Sequence, residues 1–261
     1  MSKHFKTQAL VLRSRPLGER DRLLSLLTLE RGRLSAVAPG ARKIKSKLAA
    51  GVEPFTCSSF LLYRGRSLAT VTQLEIVVSF KNIKENIENY AYGMYYSELV
   101  EKLFMEGETN PQLFKLLYTT LDYLDRRQAD RDLLARYFEL GVLYLLGYEP
   151  HFQNCLHCGG TEFPLFWDNA AGGLTCSNCS SLGKNTFPLS RGTRVLAENL
   201  LDCPPEKLIK LRAQVSQKKE LRGILHQFIQ YWTGVEVEHF QTLAFLEEIN
   251  RESKDKITKK T

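Results

Sequence analysis

The chain has 261 residues, of which 43 % are hydrophobic and 25 % charged, and carries a formal net charge of +7. This is the composition of a globular protein with enough apolar residues to bury a core, which excludes a disordered or fibrous chain. No apolar run approaches the roughly 20 residues that span a bilayer. The opening residues, MSKHFKTQALVLRSRP, hold no apolar stretch of signal-peptide length. A cytoplasmic protein is expected, in which the six cysteines serve as thiols or metal ligands and not as disulfides.

The charge is unevenly spread. Residues 1–82 contain 15 Lys and Arg against 5 Asp and Glu, whereas the remainder holds 21 against 24. A basic surface concentrated in one segment captures polyanions, and nucleic acid is the leading partner class. Five strand-length apolar runs occupy this segment: Thr7–Ser14, a run from Arg22, Arg33–Pro39, Pro54–Tyr63 and Ser67–Val77. Arg64-Gly65-Arg66 supplies a short hairpin turn between the last two. Five strands with one longer excursion predict a small closed barrel, for which the OB-fold is the common five-stranded solution. The excursion, PGARKIKSKLAAG, crowds Arg42, Lys43, Lys45 and Lys47 into six positions and is expected to be a mobile cationic loop. Arg13, Arg15, Arg20, Arg22, Arg31, Arg33, Arg64 and Arg66 extend the positive surface.

From Lys81 the apolar period becomes helical. Ile83, Ile87, Tyr90, Ala91, Met94 and Tyr95 fall on one face of a helix expected to stop near Gly107. Asn110-Pro111 is an N-cap followed by a first-turn proline, and Leu113, Leu116, Leu117, Leu121 and Leu124 form the stripe behind it. Asp130 or Asp132 opens a third helix, apolar nearly all round and therefore central. Beyond the cysteine segment, Ser190 caps a helix running to Leu201. Ser216 is expected to cap another, whose stripe is Leu221, Ile224, Leu225, Phe228, Ile229 and Trp232.

Cys155-x-x-Cys158 and Cys176-x-x-Cys179 are separated by 17 residues, the spacing of a four-thiolate zinc site. Four protein ligands leave no open position for a water, so the site reads as structural. His157 is a rival ligand inside the first knuckle. No Lys or Arg occurs between Cys155 and Cys179. A knuckle without cations is poorly made for phosphate, which favours a staple over a DNA reader. Its aromatic residues Phe163, Phe166 and Trp167 are expected to pack against the helices. The sequence contains no phosphate-loop, nucleophile-elbow or H-E-x-x-H motif, so no enzymatic activity is expected.

These segments, in this order, resemble the bacterial RecO family of recombination mediators. The resemblance is carried by L-G-E-x-D at Leu17–Asp21, T-x-x-x-G at Thr28–Gly32, G-A-R-x-x-x-S at Gly40–Ser46, the four cysteines after LLGYEP, and less specifically HFQTLAFL from His239. It implies an α+β fold: an N-terminal five-stranded OB-fold barrel, then a helical bundle with an embedded four-cysteine zinc knuckle. The expected division is an OB-fold domain over 1–80, helices over 81–150 and 189–248, a zinc-binding insertion over 151–188, and a frayed charged tail over 249–261. The resemblance further implies binding of single- and double-stranded DNA and ATP-independent annealing in a nucleoid-associated protein. It also implies action with RecR and single-strand-binding protein (SSB) in loading RecA. Two readings of other classes compete: a zinc-stapled nuclease or nucleotidyltransferase, and an RNA-binding or adaptor barrel.

Overall fold

The computed structural model describes residues 3–179, 186–239 and 243. It divides into two compact units, one comprising the chain up to Arg126 together with the chain from Val237, the other Arg127–Glu236. The charged tail over 249–261 lies outside the described residues.

The first unit begins with five strands, β1 (His4–Leu17), β2 (Asp21–Thr28), β3 (Gly32–Ala38), β4 (Thr56–Arg64) and β5 (Ala69–Ser79). They close a barrel in the order β1-β2-β3-β5-β4. β1 pairs with both β2 and β4, while β3 meets β5 in parallel at Ala36–Ala69 and Val37–Thr70. This order, with one parallel closure, is that of an OB-fold. Ala9, Val11, Leu24, Leu26, Ala36, Ala38, Phe60, Leu62 and Val71 fill the interior. Their spacing of two follows from the pleat.

Leu10, Leu12 and Cys57 alternate out of phase with that set and yet are fully buried. The alternation in the sequence looks imperfect because the barrel has a second apolar side. Helix α2 (Ile87–Leu103) packs on β1 there. Gly93 makes the close approach possible: a Cβ at that position would lie 2.9 Å from the ring of Phe55. Burial pushes the Cys57 thiol up to about 11, against a hydrogen bond from Gln8 that lowers it.

The helix expected from Ile83 to about Gly107 is two helices. Asn86 is extended and breaks the run into α1 (Lys81–Glu85) and α2. Its side chain accepts from the Asn89 N–H at 2.9 Å, so it is the N-cap of α2. Ile87 consequently points to solvent and Tyr90, half-exposed, lies edge-on to the Phe55 ring at 5.3 Å, while Tyr92, Tyr95, Tyr96, Leu99 and Val100 form the buried face. Helix α3 (Pro111–Asp125) starts as expected, with the Asn110 side chain accepting from Leu113 N–H at 2.9 Å. Its last residue, Asp125, accepts from the Ile83 N–H at 3.1 Å and so holds the start of α1.

The chain from Val237 returns to α2. Glu98, 2 % exposed, accepts from the backbone N–H groups of Glu238 at 2.8 Å and His239 at 3.0 Å. It also contacts the His239 ring at 2.6 Å and the Lys102 ammonium at 2.8 Å. Burial by itself would raise this carboxyl. Lys102, the two amides and the His239 ring outweigh it and hold the pKa at about 2.

In the second unit, α4 (Arg131–Leu145) packs against α5 (Arg191–Leu201) and α7 (Val215–Thr233), with α6 (Pro205–Leu208) between them in sequence. The helices expected to form one bundle are thus shared between two units. Asp130, not Asp132, is the N-cap of α4, accepting from Asp132 N–H at 3.0 Å and Leu133 N–H at 3.2 Å. Helix α4 buries Arg136 and Glu139 as a hydrogen-bonded pair, with Asp132 on the other side of the guanidinium at 3.2 Å. Removing one partner of such a pair strands a charge and costs about 3–5 kcal/mol. Ser190 caps α5 as expected. Helix α7 starts earlier than Ser216, with the Gln214 N–H bonded to the Gln217 side chain at 2.8 Å. A small sheet in the order β7-β6-β8, from β6 (Leu165–Asp168), β7 (Gly173–Cys176) and β8 (Thr186–Leu189), carries the cysteine segment.

Two outcomes are expected. Gly93→Leu overfills the contact between α2 and Phe55 and should lower stability by about 1–3 kcal/mol in urea titration. Because the Glu98 pKa is depressed, its contribution is complete above the ordinary value of 4.5 and is lost as pH falls towards about 2. Hydrogen exchange should show the Glu238 and His239 amides losing protection in that window. Glu98→Gln should remove the pH dependence and cost about 1.5–3 kcal/mol at neutral pH.

Candidate nucleic-acid interface and metal centre

The three sequence motifs of the barrel have local physical causes. In Leu17–Asp21, the Asp21 carboxylate accepts the Gly40 N–H at 2.7 Å, which ties the first motif to the third. In Thr28–Gly32, the Thr28 hydroxyl donates to Gly32 C=O at 2.8 Å and accepts from Arg31 N–H at 3.0 Å, closing the turn. In Gly40–Ser46, the Arg42 N–H donates to Arg20 C=O at 2.9 Å and the Arg42 guanidinium to Gly18 C=O at 2.5 Å.

The cationic connection is therefore tied down, contrary to the mobile loop expected. Two successive turns, closed by Lys43 N–H to Gly40 C=O at 3.1 Å and Ser46 N–H to Lys43 C=O at 2.9 Å, shape its crown. Ala41 is buried in the barrel core and Leu48 packs against it, so both feet of the arch are anchored. Arg42, Lys43, Lys45 and Lys47 are exposed, and the bonds to the β1–β2 turn bring them beside exposed Arg20. Arg15 is also exposed, near the end of β1 that leads into this turn.

The other sequence-predicted cations separate into three groups. Arg13 pairs with Glu101 of α2 at 3.0 Å, and the Arg33 guanidinium donates to the Glu101 and Phe104 carbonyls at the end of that helix. A cation on the last carbonyls of a helix complements its dipole, so these two arginines hold α2 on the barrel. Arg22 donates to the Ser14 hydroxyl at 3.2 Å and lies along the β1–β2 pair. Arg64 and Arg66 are exposed and, with Arg31, line a cleft of about 480 Å³ that also contains Phe5, Leu68 and Glu106. Arg31 lies over the Phe5 ring at 4.4 Å. Sequence reasoning gave no role to Asp21, named only as part of a motif, and passed over Glu101; their partners are separated from them by 19 and 88 positions. No local pattern signals a contact that distant.

The four cysteines come together as their spacing predicts. The sulfurs of Cys155, Cys158, Cys176 and Cys179 all lie within 4.8 Å of one another. Cys158 and Cys176 are 3.7 Å apart. A tetrahedron with metal–sulfur bonds of about 2.3 Å has edges of about 3.8 Å, so the cluster has the size of a four-thiolate site. The first knuckle turns at Gly159, with φ +71°, and its N–H bonds to Cys155 C=O at 2.8 Å. His157 is exposed and stands outside the set. Burial would raise the Cys155 thiol, but backbone N–H groups of Cys158, His157 and Cys176 outweigh it and draw the pKa down to about 6. Cys179, next to the Cys176 and Cys158 sulfurs, is pushed up to about 12. Crowded thiols of this kind resist sharing negative charge until a cation joins them. The arrangement can hold one metal ion.

The segment between the knuckles packs inward. Trp167 is fully buried, stacked on Phe152 at 4.7 Å and edge-on to Phe228 of α7 at 5.3 Å. Trp232, half-exposed at the edge of the α7 stripe, donates its ring N–H to Asn169 C=O at 2.8 Å. Arg194 of α5 donates to Phe152 C=O at 3.2 Å. Phe163 instead lies beneath the Arg191 guanidinium at 5.0 Å.

Family comparisons divide the chain in the same place as the period change. The model of the recombination protein O N terminal matches residues 1–80, and that of the recombination protein O C terminal matches residues 84–238. The chain belongs to the RecO family. Among relatives named DNA repair protein RecO, that of Pelotomaculum thermopropionicum is 41 % identical over 230 residues, covering 88 % of this chain and 89 % of its own. The protein of the same name from Alkaliphilus metalliredigens is 37 % identical, covering 86 % and 92 %. That from Halalkalibacterium halodurans is 27 % identical over 94 % of both chains. No described helix is long and apolar enough to cross a membrane.

Replacing Cys155 and Cys176 together by Ser should abolish tight metal binding, measured by elemental analysis of the purified protein. It should also unfold the cysteine segment, because a structural metal contributes on the order of 10 kcal/mol of coupled folding energy. A metal-free variant as stable as the parent in thermal melts would contradict the staple.

Proposed function

We propose that this chain is a DNA repair and recombination mediator. In this reading it binds single- and double-stranded DNA and anneals complementary strands without ATP. With RecR it helps load RecA onto strands coated by SSB. Membership of the RecO family supports the repair and recombination role. The observation that carries the DNA-binding part is the arch, hydrogen-bonded to the β1–β2 turn, with Arg42, Lys43, Lys45 and Lys47 exposed beside Arg20.

Annealing requires two polyanions to approach each other. Exposed ammonium and guanidinium groups lower that repulsion by replacing condensed counterions. The task is independent of sequence, so contacts to phosphate must outnumber contacts to bases. Lys43, Lys45 and Lys47 are compact point charges suited to phosphates in many geometries. Arg15 and Arg20 extend the same surface, and Arg64 and Arg66 on the β4–β5 turn would provide a further contact. Arg13, Arg22 and Arg33 are engaged within the fold and contribute little to this surface.

Zinc is the metal this reading assigns to Cys155, Cys158, Cys176 and Cys179. Four thiolates complete its preferred tetrahedron and leave no site for a reactive water. Bound there, it would supply folding energy and no chemistry. The cysteines and the segment between them fix Trp167 against α7, a structural duty that needs no cations.

Reversing Arg42, Lys43, Lys45 and Lys47 to Glu tests the reading. Binding to single-stranded DNA should weaken, and the slope of log K against log salt should fall by up to about 3. Annealing of complementary oligonucleotides, with no nucleotide present, should slow in parallel. Replacing Arg13 by Gln should lower thermal stability and leave that slope almost unchanged. An unaltered salt slope in the four-residue variant would remove the arch from DNA binding.

A further inference from the structure

One residue of the arch serves neither the fold nor the charge. Ile44 is 104 % exposed, as open as a side chain can be. The other apolar residues of the arch turn inward, Ala41 into the barrel core and Leu48 against it. Between those feet, Ile44 and Lys45 are the two central residues of the turn closed by Ser46 N–H to Lys43 C=O at 2.9 Å. Exposed Arg42 and Lys43 precede it, and exposed Lys45 and Lys47 follow.

A single exposed apolar residue is ordinary on a protein surface. Ile44 differs by its position at the crown of an arch anchored at both feet, with cations on either side. A strand whose phosphates are held by those cations presents its sugars and bases to the space between them, where Ile44 stands. The side chain is β-branched and stiff at χ1, so fixing it costs little rotamer entropy. Apolar side chains used in this way enter base steps and part-unstack them.

We propose that Ile44 is a wedge that enters a base step of the bound strand while Arg42, Lys43, Lys45 and Lys47 hold the flanking phosphates. The proposal rests on the reading that the arch binds DNA. It adds that the bound strand is locally unstacked, with base edges turned out for a second strand. No hydrogen bond to a base edge is involved, so the wedge tolerates any sequence and favours steps that unstack easily, such as TA and CA.

The test uses the full-length protein and a single-stranded oligonucleotide carrying 2-aminopurine, whose fluorescence rises on unstacking. The parent should raise the fluorescence on binding. Ile44→Ser should abolish the rise and weaken binding about 3- to 10-fold, the loss expected for one partly buried aliphatic side chain. The salt slope should stay unchanged, because no cation is removed. Ile44→Phe should restore both the rise and the affinity. The wedge is overturned if Ile44→Ser gives the parental rise, or if the parent binds tightly with no rise. In either case DNA binding by the arch still stands. Failure of the parent to bind the oligonucleotide at low salt would instead overturn the DNA-binding reading itself.

Discussion

The packing of α2 on the outside of β1 sets the terms for the rest of the first unit. Leu10 and Leu12 face away from the barrel interior, and left uncovered they would cost roughly 1.5–3 kcal/mol each. Both are buried, and helix α2 packs on β1, coming close at Gly93 and Phe55. Once it lies there, Arg13 meets Glu101 and Arg33 meets the last carbonyls of the helix. Those two cations are engaged by the same contact that completes the core. Cations free to meet a polyanion remain where the barrel turns, on the arch and on the β4–β5 hairpin. In the proposed reading, an interface at strand ends suits a ligand recognised by its backbone, because the cations there stand exposed on turns that the barrel holds in place.

In the second unit the equivalent constraint is the cysteine cluster. A knuckle segment of about two dozen residues is too short to build a core of its own. It borrows one by stacking Trp167 between Phe152 and Phe228, and it gains fixed geometry by gathering four sulfurs. Its lack of Lys and Arg fits this inward packing. The aromatic insert that could have stacked on bases is divided in use: Trp167 is buried against α7, while Phe163 lies under Arg191.

Much of this was legible from local pattern. The strands were marked by apolar runs of strand length and turn residues, the start of α3 by Asn110-Pro111, and the sulfur cluster by its spacing. The errors have local causes. One helical stripe from Ile83 to Tyr95 hid a break, because Asn86 prefers to cap the next helix and its extended backbone turns Ile87 to solvent. Ser216 looked like a cap, but the reciprocal geometry of Gln214 and Gln217 starts α7 earlier. The charge run at Arg42–Lys47 read as a loose loop because the bonds that restrain it come from Gly18, Arg20 and Asp21.

The sequence by itself determined the element types, the barrel class, the four clustered cysteines and the segment that bears the excess positive charge. Each of these depends on residue type and spacing along one stretch of chain. Only the tertiary structure decided which arginines stay available, which helices join the barrel, and that Ile44 crowns the arch. Those outcomes depend on groups tens of positions apart meeting at 3.0 Å, as Arg13 and Glu101 do. The energy of such contacts arises from desolvation and geometry that exist only once the chain has folded.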